Sequence, residues 1–435
     1  MSVYTEWGFK ANPFETTPLP ANEEGSRLLI GRDVLLKTMK TRLDSGNKIV
    51  TVEGLNGVGK TSLINVMLFR AFRDTCKSGI GPFYIPCRTI FQLDDVQNAT
   101  DFRRRALIEV AQTLLSARKT VPPRRGHTKH ANATSLDRYL NSPHFNAISG
   151  GLSAATVGLN LGQARQVNDG VGFETSGLEK LITTWLEEVF PTSTSGAVVC
   201  VLDNLELLQT SARAREVIEA LRDTLFSIQG IRWVLCGALG IVHGIASSPR
   251  LDGRLHKPVM VEDLEDRYAQ MIFENRIKTF KDSADYFLPL DGAKFSEIYD
   301  IMRGNLRSAL NEADEYCMWV SDKIDDREDF VEEMYEQWLE GELEAAYLAV
   351  KAELRPRAWE VFETACQFEI FAPSDCMAFG YETPNAMRQQ IRNLEIVGLL
   401  RSSLDEKDNR RKSIQVTSKG WKVRAYLDLY DEDFI

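Results

Sequence analysis

Residues 48–62, Lys48-Ile49-Val50-Thr51-Val52-Glu53-Gly54-Leu55-Asn56-Gly57-Val58-Gly59-Lys60-Thr61-Ser62, decide how the rest of the chain is read. Lys48 to Glu53 is an apolar, β-branched run and predicts a buried strand. Gly54 to Thr61 fits the spacing GxxxxGK[ST], whose glycines let backbone N–H groups turn inward around phosphate oxygens. An amphipathic helix is expected from about Thr61 to Arg73, and its positive end adds to the pull on an anion. In that arrangement Asn56, Gly57, Val58, Gly59 and Ser62 surround the phosphates. Lys60 reaches the β- and γ-phosphates and the Thr61 hydroxyl ligates Mg²⁺. The bare pattern turns up by chance in roughly one or two chains per hundred of this length. The strand before it and the helix after it make it specific.

Working outward, strands and helices alternate. Pro82 to Cys87 reads as a strand and Asp101 to Ala117 as a helix. Ala197 to Leu202 is a continuous apolar run, Thr210 to Ile228 a helix, Ile231 to Cys236 a strand, and Pro258 to Val261 a short fifth strand. This predicts an α/β fold, a mostly parallel sheet covered by helices on both faces. Residues 118–175 interrupt it as an insertion, basic and polar at first, then alternating through Val157, Leu159 and Leu161 like half of a hairpin. After residue 261 the period turns helical, with Leu264, Tyr268, Met271, Ile272 and Ile277 at three- and four-residue spacing. Three units follow: an α/β core over 1–261, a helical lid with a connecting helix over 262–353, and a third unit of helices and a β-hairpin over 354–435.

The run Val198 to Leu202 ends in Asp203, placed to hold Mg²⁺ through water beside Thr61. The group that polarises an attacking water is open. Asn204 follows Asp203 directly, and the nearest carboxylate is Glu206. Either Glu206 is the base, or turnover is slow and the protein is a nucleotide-held switch.

At this point the layout resembles the AAA+ class of additional-strand P-loop ATPases, within it the initiator (origin-recognition-like) ATPases, and also the related STAND signalling ATPases. Asn12-Pro13-Phe14 followed by Gly31-Arg32-Asp33 is similar to their adenine-side box, which implies that Ile30 and Gly31 line the base. Pro249-Arg250-Leu251-Asp252-Gly253-Arg254-Leu255 is similar to the segment that carries their arginine finger, so Arg250 or Arg254 would serve a neighbouring copy. Gly304-Asn305-Leu306-Arg307 resembles their sensor-2 motif and implies that Arg307 touches the γ-phosphate from the lid. The resemblance covers about residues 10–310. It departs at Asn204, where a Glu is usual, and at Cys236, where such families carry Asn, Thr or Ser. Both departures bear on fast hydrolysis and leave binding of ATP untouched.

Thr383 to Gly420 resembles the winged-helix module of MarR-type regulators. Thr383 is a good helix N-cap and Pro384 a good first-turn residue. Met387, Ile391 and Leu394 form an apolar stripe, with Asn385, Arg388, Gln389 and Arg392 on the opposite face. Those side chains pair with base edges or phosphates in a major groove. A loop from Asp405 to Lys412 brings Arg410, Arg411 and Lys412, where the wing of the resembled module enters the minor groove. A solvated helix face is the plainer alternative, and many winged helices bind proteins.

Composition narrows the class further. The 435 residues are 43% hydrophobic and 26% charged, with no apolar run long enough to span a membrane. The first residues, MSVYTEWGFK, lack the layout of a secretory leader. Seven cysteines without a CxxC spacing argue against a disulfide framework or structural zinc and fit a cytoplasmic protein, free or nucleoid-associated. The net charge of −10 is uneven: −12 over residues 312–353, +6 over 384–424 and +7 over 102–130. An acidic total therefore does not exclude double-stranded DNA as a partner. The expectation is an ATP- and Mg²⁺-binding ATPase whose nucleotide state gates homo-oligomer assembly and DNA binding. Replication, transposition or antiviral defence would suit it. The rivals are a signalling switch that docks an effector protein and an ATP-dependent transcription regulator.

Overall fold

The computed structural model describes residues 2–46, 48–93, 98–117, 177–205, 211–238, 241–246, 248–368, 370–404 and 412–430. The expected insertion hairpin, Glu206, Arg410 and Arg411 lie outside the described residues, as does the side chain of Lys412. Strands β1 (Val50–Gly54), β2 (Phe83–Phe91), β3 (Gly196–Leu202), β4 (Ile231–Gly237) and β5 (Val259–Val261) form one sheet in the order β2-β3-β4-β1-β5. Every pairing is parallel. β4 is inserted between the strand that leads into the glycine-rich loop and the strand that ends before Asp203, which is the additional-strand arrangement.

Side-chain parity explains the two covering layers. Along β3, Val198, Cys200 and Leu202 join one apolar cluster with Phe102, Trp185 and Trp233, while Val199 and Val201 join the other with Met39, Leu63 and Met67. Burial on both faces is why these strands read as unbroken apolar runs. The first layer includes α5 (Ala99–Ala117), α6 (Leu178–Val189) and α7 (Ser211–Leu221); the second includes α3 (Asp33–Asp44) and α4 (Lys60–Ser78). Two short helices, α1 (Val3–Glu6) and α2 (Glu23–Leu28), precede α3, and α8 (Ile241–Ala246) follows β4. Helix α7 stops seven residues short of the expected Ile228, where the turn widens: the Leu225 and Phe226 amides both donate to the Leu221 carbonyl, the second bond spanning five residues. This turn buries Leu225 and sets Phe226 edge-on against Trp233, with ring centroids 5.3 Å apart.

The lid holds α9 (Arg267–Phe280), α10 (Gly292–Ile301), α11 (Leu306–Ser321) and the first part of α12 (Met334–Lys351). Its core also takes in Tyr4, Trp7, Phe9 and Phe14. The N-terminal stretch, counted by the sequence reading within the α/β core over 1–261, thus packs among the lid helices. Helix α12 is shared: Tyr335 and Trp338 sit in the lid core, whereas Tyr347 and Val350 belong to the C-terminal cluster. That last cluster gathers α13 (Pro356–Ala365), a 3₁₀ turn at Pro373–Phe379, α14 (Pro384–Ile396), the antiparallel pair β6 (Leu400–Leu404) and β7 (Lys412–Val416), and α15 (Ser418–Tyr430). Helix α15 follows the hairpin directly and completes this unit. Among the described residues, no helix is long and apolar enough to cross a membrane.

Phe14 is 1% exposed and packs against both Phe273 and Phe295, with centroid distances of 6.2 and 6.4 Å, in a triangle closed by the 5.6 Å Phe273–Phe295 contact. Phe14→Ala should cost about 3–5 kcal/mol, as for other buried aromatic truncations. Urea unfolding followed by lid tryptophan fluorescence checks this; an unchanged midpoint would mean the N-terminal residues do not complete the lid core.

Candidate functional site

Parallel strands deliver their C-terminal ends to one edge, where open α/β sheets bind ligands. There β1 runs into the glycine-rich loop and α4 starts at Lys60, capped by Gly59 in the left-handed region at φ 89°. The loop lines a cleft of about 940 Å³, open mouth included, between sheet and lid. Asn56, Gly57, Val58, Gly59, Lys60, Thr61 and Ser62 line it, as do Asn204 and Ile30. Arg307, the second residue of α11, enters from the lid side. Gly31 is packed beneath the lid instead, where a β-carbon would come within 2.8 Å of the Leu264 side chain.

The geometry inside the loop suits a phosphate and a hard cation. Lys60 is buried, and its ammonium donates to the carbonyls of Gly54 and Leu55, both at 2.9 Å. The Thr61 hydroxyl donates to Asp203 Oδ2 at 2.6 Å, while the other carboxylate oxygen accepts from the Asn204 amide at 2.9 Å. Asn204 holds φ 54°, a left-handed turn that an asparagine tolerates better than most residues. The residues fit Mg²⁺, which takes one or two protein oxygens and otherwise water and phosphate. Among the described residues, no group of three or more His, Cys, Asp or Glu could cage a metal, so the fit is to that open mode alone.

Two buried arginines, missed as site residues by the sequence reading, frame the cleft. Arg32 donates to the Val58 carbonyl at 3.1 Å and pins the loop from behind. Arg276, on α9, donates to the carbonyls of Pro13 at 2.6 Å and Glu15 at 3.2 Å. Burial lowers its pKa to about 10, which still leaves it charged at neutral pH. Nothing in sequence periodicity marks an arginine that folds inward onto carbonyl groups. Ser62 accepts from the Leu19 amide at 3.0 Å, joining the N-terminal segment to α4.

Arg250 and Arg254 are not brought to this cleft. The Ile49 amide donates to the Arg254 carbonyl at 2.8 Å, which places that segment at the start of β1. The loop is at the strand's other end, roughly 17 Å away for five extended residues. Arg254 lines a small cavity with Lys48 and Arg222, and Arg250 lies 3.5 Å from Glu219 with its side chain 75% exposed. In the C-terminal unit, Met387, Ile391 and Leu394 are buried, and Asn385, Arg388, Gln389 and Arg392 are exposed.

Helix α11 also touches the C-terminal unit. Ser308 and Ser418 share a hydrogen bond of 2.8 Å, and the Arg303 guanidinium lies 5.3 Å from the Trp421 ring centre. Lys422 is 2.6 Å from Glu312 and 2.8 Å from Glu342. Burial pushes the Glu312 carboxyl above its usual range, with Lys422 opposing the shift.

The sheet order and the loop together define a P-loop α/β fold of the additional-strand type. The sequence matches no protein-family model and no curated protein. Among solved structures, the chain is similar to the ORC2 protein of Aeropyrum pernix in its ADPNP–ADP complexes, with a TM-score of 0.45, 12% identity, and 97% of this chain and 98% of that chain covered. It is also similar to CDC6P from Pyrobaculum aerophilum (TM-score 0.41, 12% identity, 97% of each chain). A third is the A. pernix ORC1 protein in complex with DNA (TM-score 0.40, 13% identity, 95% of this chain and 97% of that chain).

Lys422→Met should strand Glu312 and cost about 3–5 kcal/mol, as when one partner of a buried pair is removed. A carboxyl whose folded pKa lies above its unfolded value binds its proton more tightly when folded, so stability falls as pH rises between the two values. The melting temperature of the variant should therefore fall further below wild type at pH 8 than at pH 5. Equal losses at both pH values would count against this account of Glu312.

Proposed function

We propose that this chain is an ATP-binding and ATP-hydrolysing AAA+-like protein whose nucleotide state sets self-assembly and engagement of double-stranded DNA. The observation that carries the reading is convergence: Lys60, the Thr61–Asp203 pair and Arg307 meet at one cleft although they come from three distant parts of the sequence. Lys60 would hold the β- and γ-phosphates, Thr61 and Asp203 would hold Mg²⁺, and Arg307 would reach the γ-phosphate from the lid. Mg²⁺ bound there supplies charge neutralisation on the phosphate oxygens. The base end would lie against Ile30, Leu19 and Leu28, the apolar part of the cleft. Glu206 is the proposed general base, with Asn204 setting the turn after Asp203.

Arg250 and Arg254 would act on the nucleotide of a second copy, since they lie at the far edge of their own sheet. The C-terminal unit would act as a winged helix, presenting Asn385, Arg388, Gln389 and Arg392 to a major groove and Arg410, Arg411 and Lys412 from the wing. A second reading, docking of an effector protein by this unit, is favoured by the exposure of Met377 (75%) and Ile396 (71%) on it. Affinity for duplex DNA that falls steeply with salt supports the first reading, and salt-insensitive retention of a protein supports the second.

Calorimetric titration with Mg²⁺ and a non-hydrolysable ATP analogue tests the site. Lys60→Ala should weaken binding by about 10- to 150-fold, the range for a lost charged hydrogen bond. Arg307→Ala should weaken the triphosphate by about tenfold or more and leave ADP nearly unchanged. Wild-type protein that ignores nucleotide would end the proposal. Turnover that survives Glu206→Gln unchanged would remove Glu206 as the base.

A further inference from the structure

We infer that Asn305 is a positioning residue that fastens the lid to the phosphate loop and thereby sets Arg307 for the γ-phosphate; this rests on the nucleotide reading above. Its side chain does two jobs at once. The amide oxygen accepts from the Ser308 N–H at 3.1 Å and caps α11, while the amide nitrogen donates to the Asn56 carbonyl at 3.0 Å. The capping bond fixes which end of the amide is which, so the NH₂ group faces the loop.

The approach is built into both partners. Gly57 has φ 92°, and a β-carbon there would stand 2.5 Å from the Asn305 oxygen, so the loop has been cleared of a side chain where Asn305 enters. On the lid side, α10 ends in two consecutive left-handed residues, Arg303 (φ 49°) and Gly304 (φ 76°). The Gly304 amide donates to the Tyr299 carbonyl at 3.1 Å and the Arg303 amide to that of Asp300 at 2.9 Å. This stop is of the Schellman kind and turns the chain sharply into α11. The Tyr299 hydroxyl donates to the Leu264 carbonyl at 2.8 Å and fixes the turn to the first lid segment. A non-glycine residue held left-handed costs free energy, and here it delivers Asn305 to the loop and Arg307 to the cleft.

The latch and the cap can be separated. Serine caps a helix about as well as asparagine but cannot span to the Asn56 carbonyl. With Asn305→Ser, the melting temperature should stay at the wild-type value. Affinity for the Mg²⁺–ATP analogue should fall about 3- to 10-fold, the range for one neutral hydrogen bond, while ADP changes less than about twofold. Asn305→Ala, which loses both roles, should lower the melting temperature as well. If wild type binds nucleotide and Asn305→Ser keeps both affinities, or loses both equally, the latch is refuted while the nucleotide site stands. If wild type binds neither nucleotide, the underlying reading fails and the latch with it.

Discussion

The hydrogen bond from Thr61 to Asp203 joins residues 142 positions apart, and the register of the sheet makes it. Asp203 continues the parity of Val199 and Val201, which face α4, and Thr61 is the second residue of α4. A slip of one residue would turn Asp203 toward the opposite helix layer and put Leu202 over the phosphate loop. Burial of every residue of β1 and β3, and of β4 apart from Arg232, forbids such a slip, because it would exchange the two apolar faces. The site is therefore held by the core beneath it more than by its own polar contacts. Thr51 and Glu53, the buried polar residues of β1, share its other face, away from the Val50–Val52 side that packs on α4.

The lid is a body of a different kind. It has its own aromatic core, extended by Tyr4, Trp7, Phe9 and Phe14, and it meets the phosphate loop through polar atoms. Apolar contact with the lid is made elsewhere, where Ile30 packs against its core and Gly31 lies under Leu264 and Tyr268. Helix α11 sits where relative motion of the two bodies would matter. Its first turn faces the cleft through Leu306 and Arg307, and Ser308 and Glu312 on the same helix bond to residues of α15. Movement of α11 relative to the loop must therefore either carry α15 along or break those bonds.

What was legible in the sequence follows from range. The phosphate loop is a contiguous pattern, and buried parallel strands announce themselves as apolar runs, so the sheet and Asp203 could be placed. The amphipathic pattern of α14 was equally local. Arg32, Arg276 and Asn305 were not legible as site residues, since their roles depend on carbonyl groups up to 263 positions away. Tyr4, Trp7, Phe9 and Phe14 escaped for another reason: they lie in a four-residue helix and the irregular chain after it, too short for a helical or strand period, so only the finished lid shows what they bury against. Helix α15 was obscured because its buried residues, Gly420, Val423 and Leu427, include a glycine where an apolar side chain would have marked the stripe.

The charge pattern acquires a second meaning once the chain is folded. Read linearly, the acidic stretch at 312–353 and the basic stretch at 384–424 suggest one surface that repels DNA and another that attracts it. In the fold, Lys422 of the basic stretch lies between Glu312 and Glu342 of the acidic one. Part of the asymmetry is thus spent internally, holding α15 against α11 and α12. The cations left for an outside partner include those of the exposed α14 face, Arg388 and Arg392, at a place where no packing role competes for them. Net charge counted along the sequence overstates what such a unit offers to a polyanion, and position on the fold decides how much of it remains.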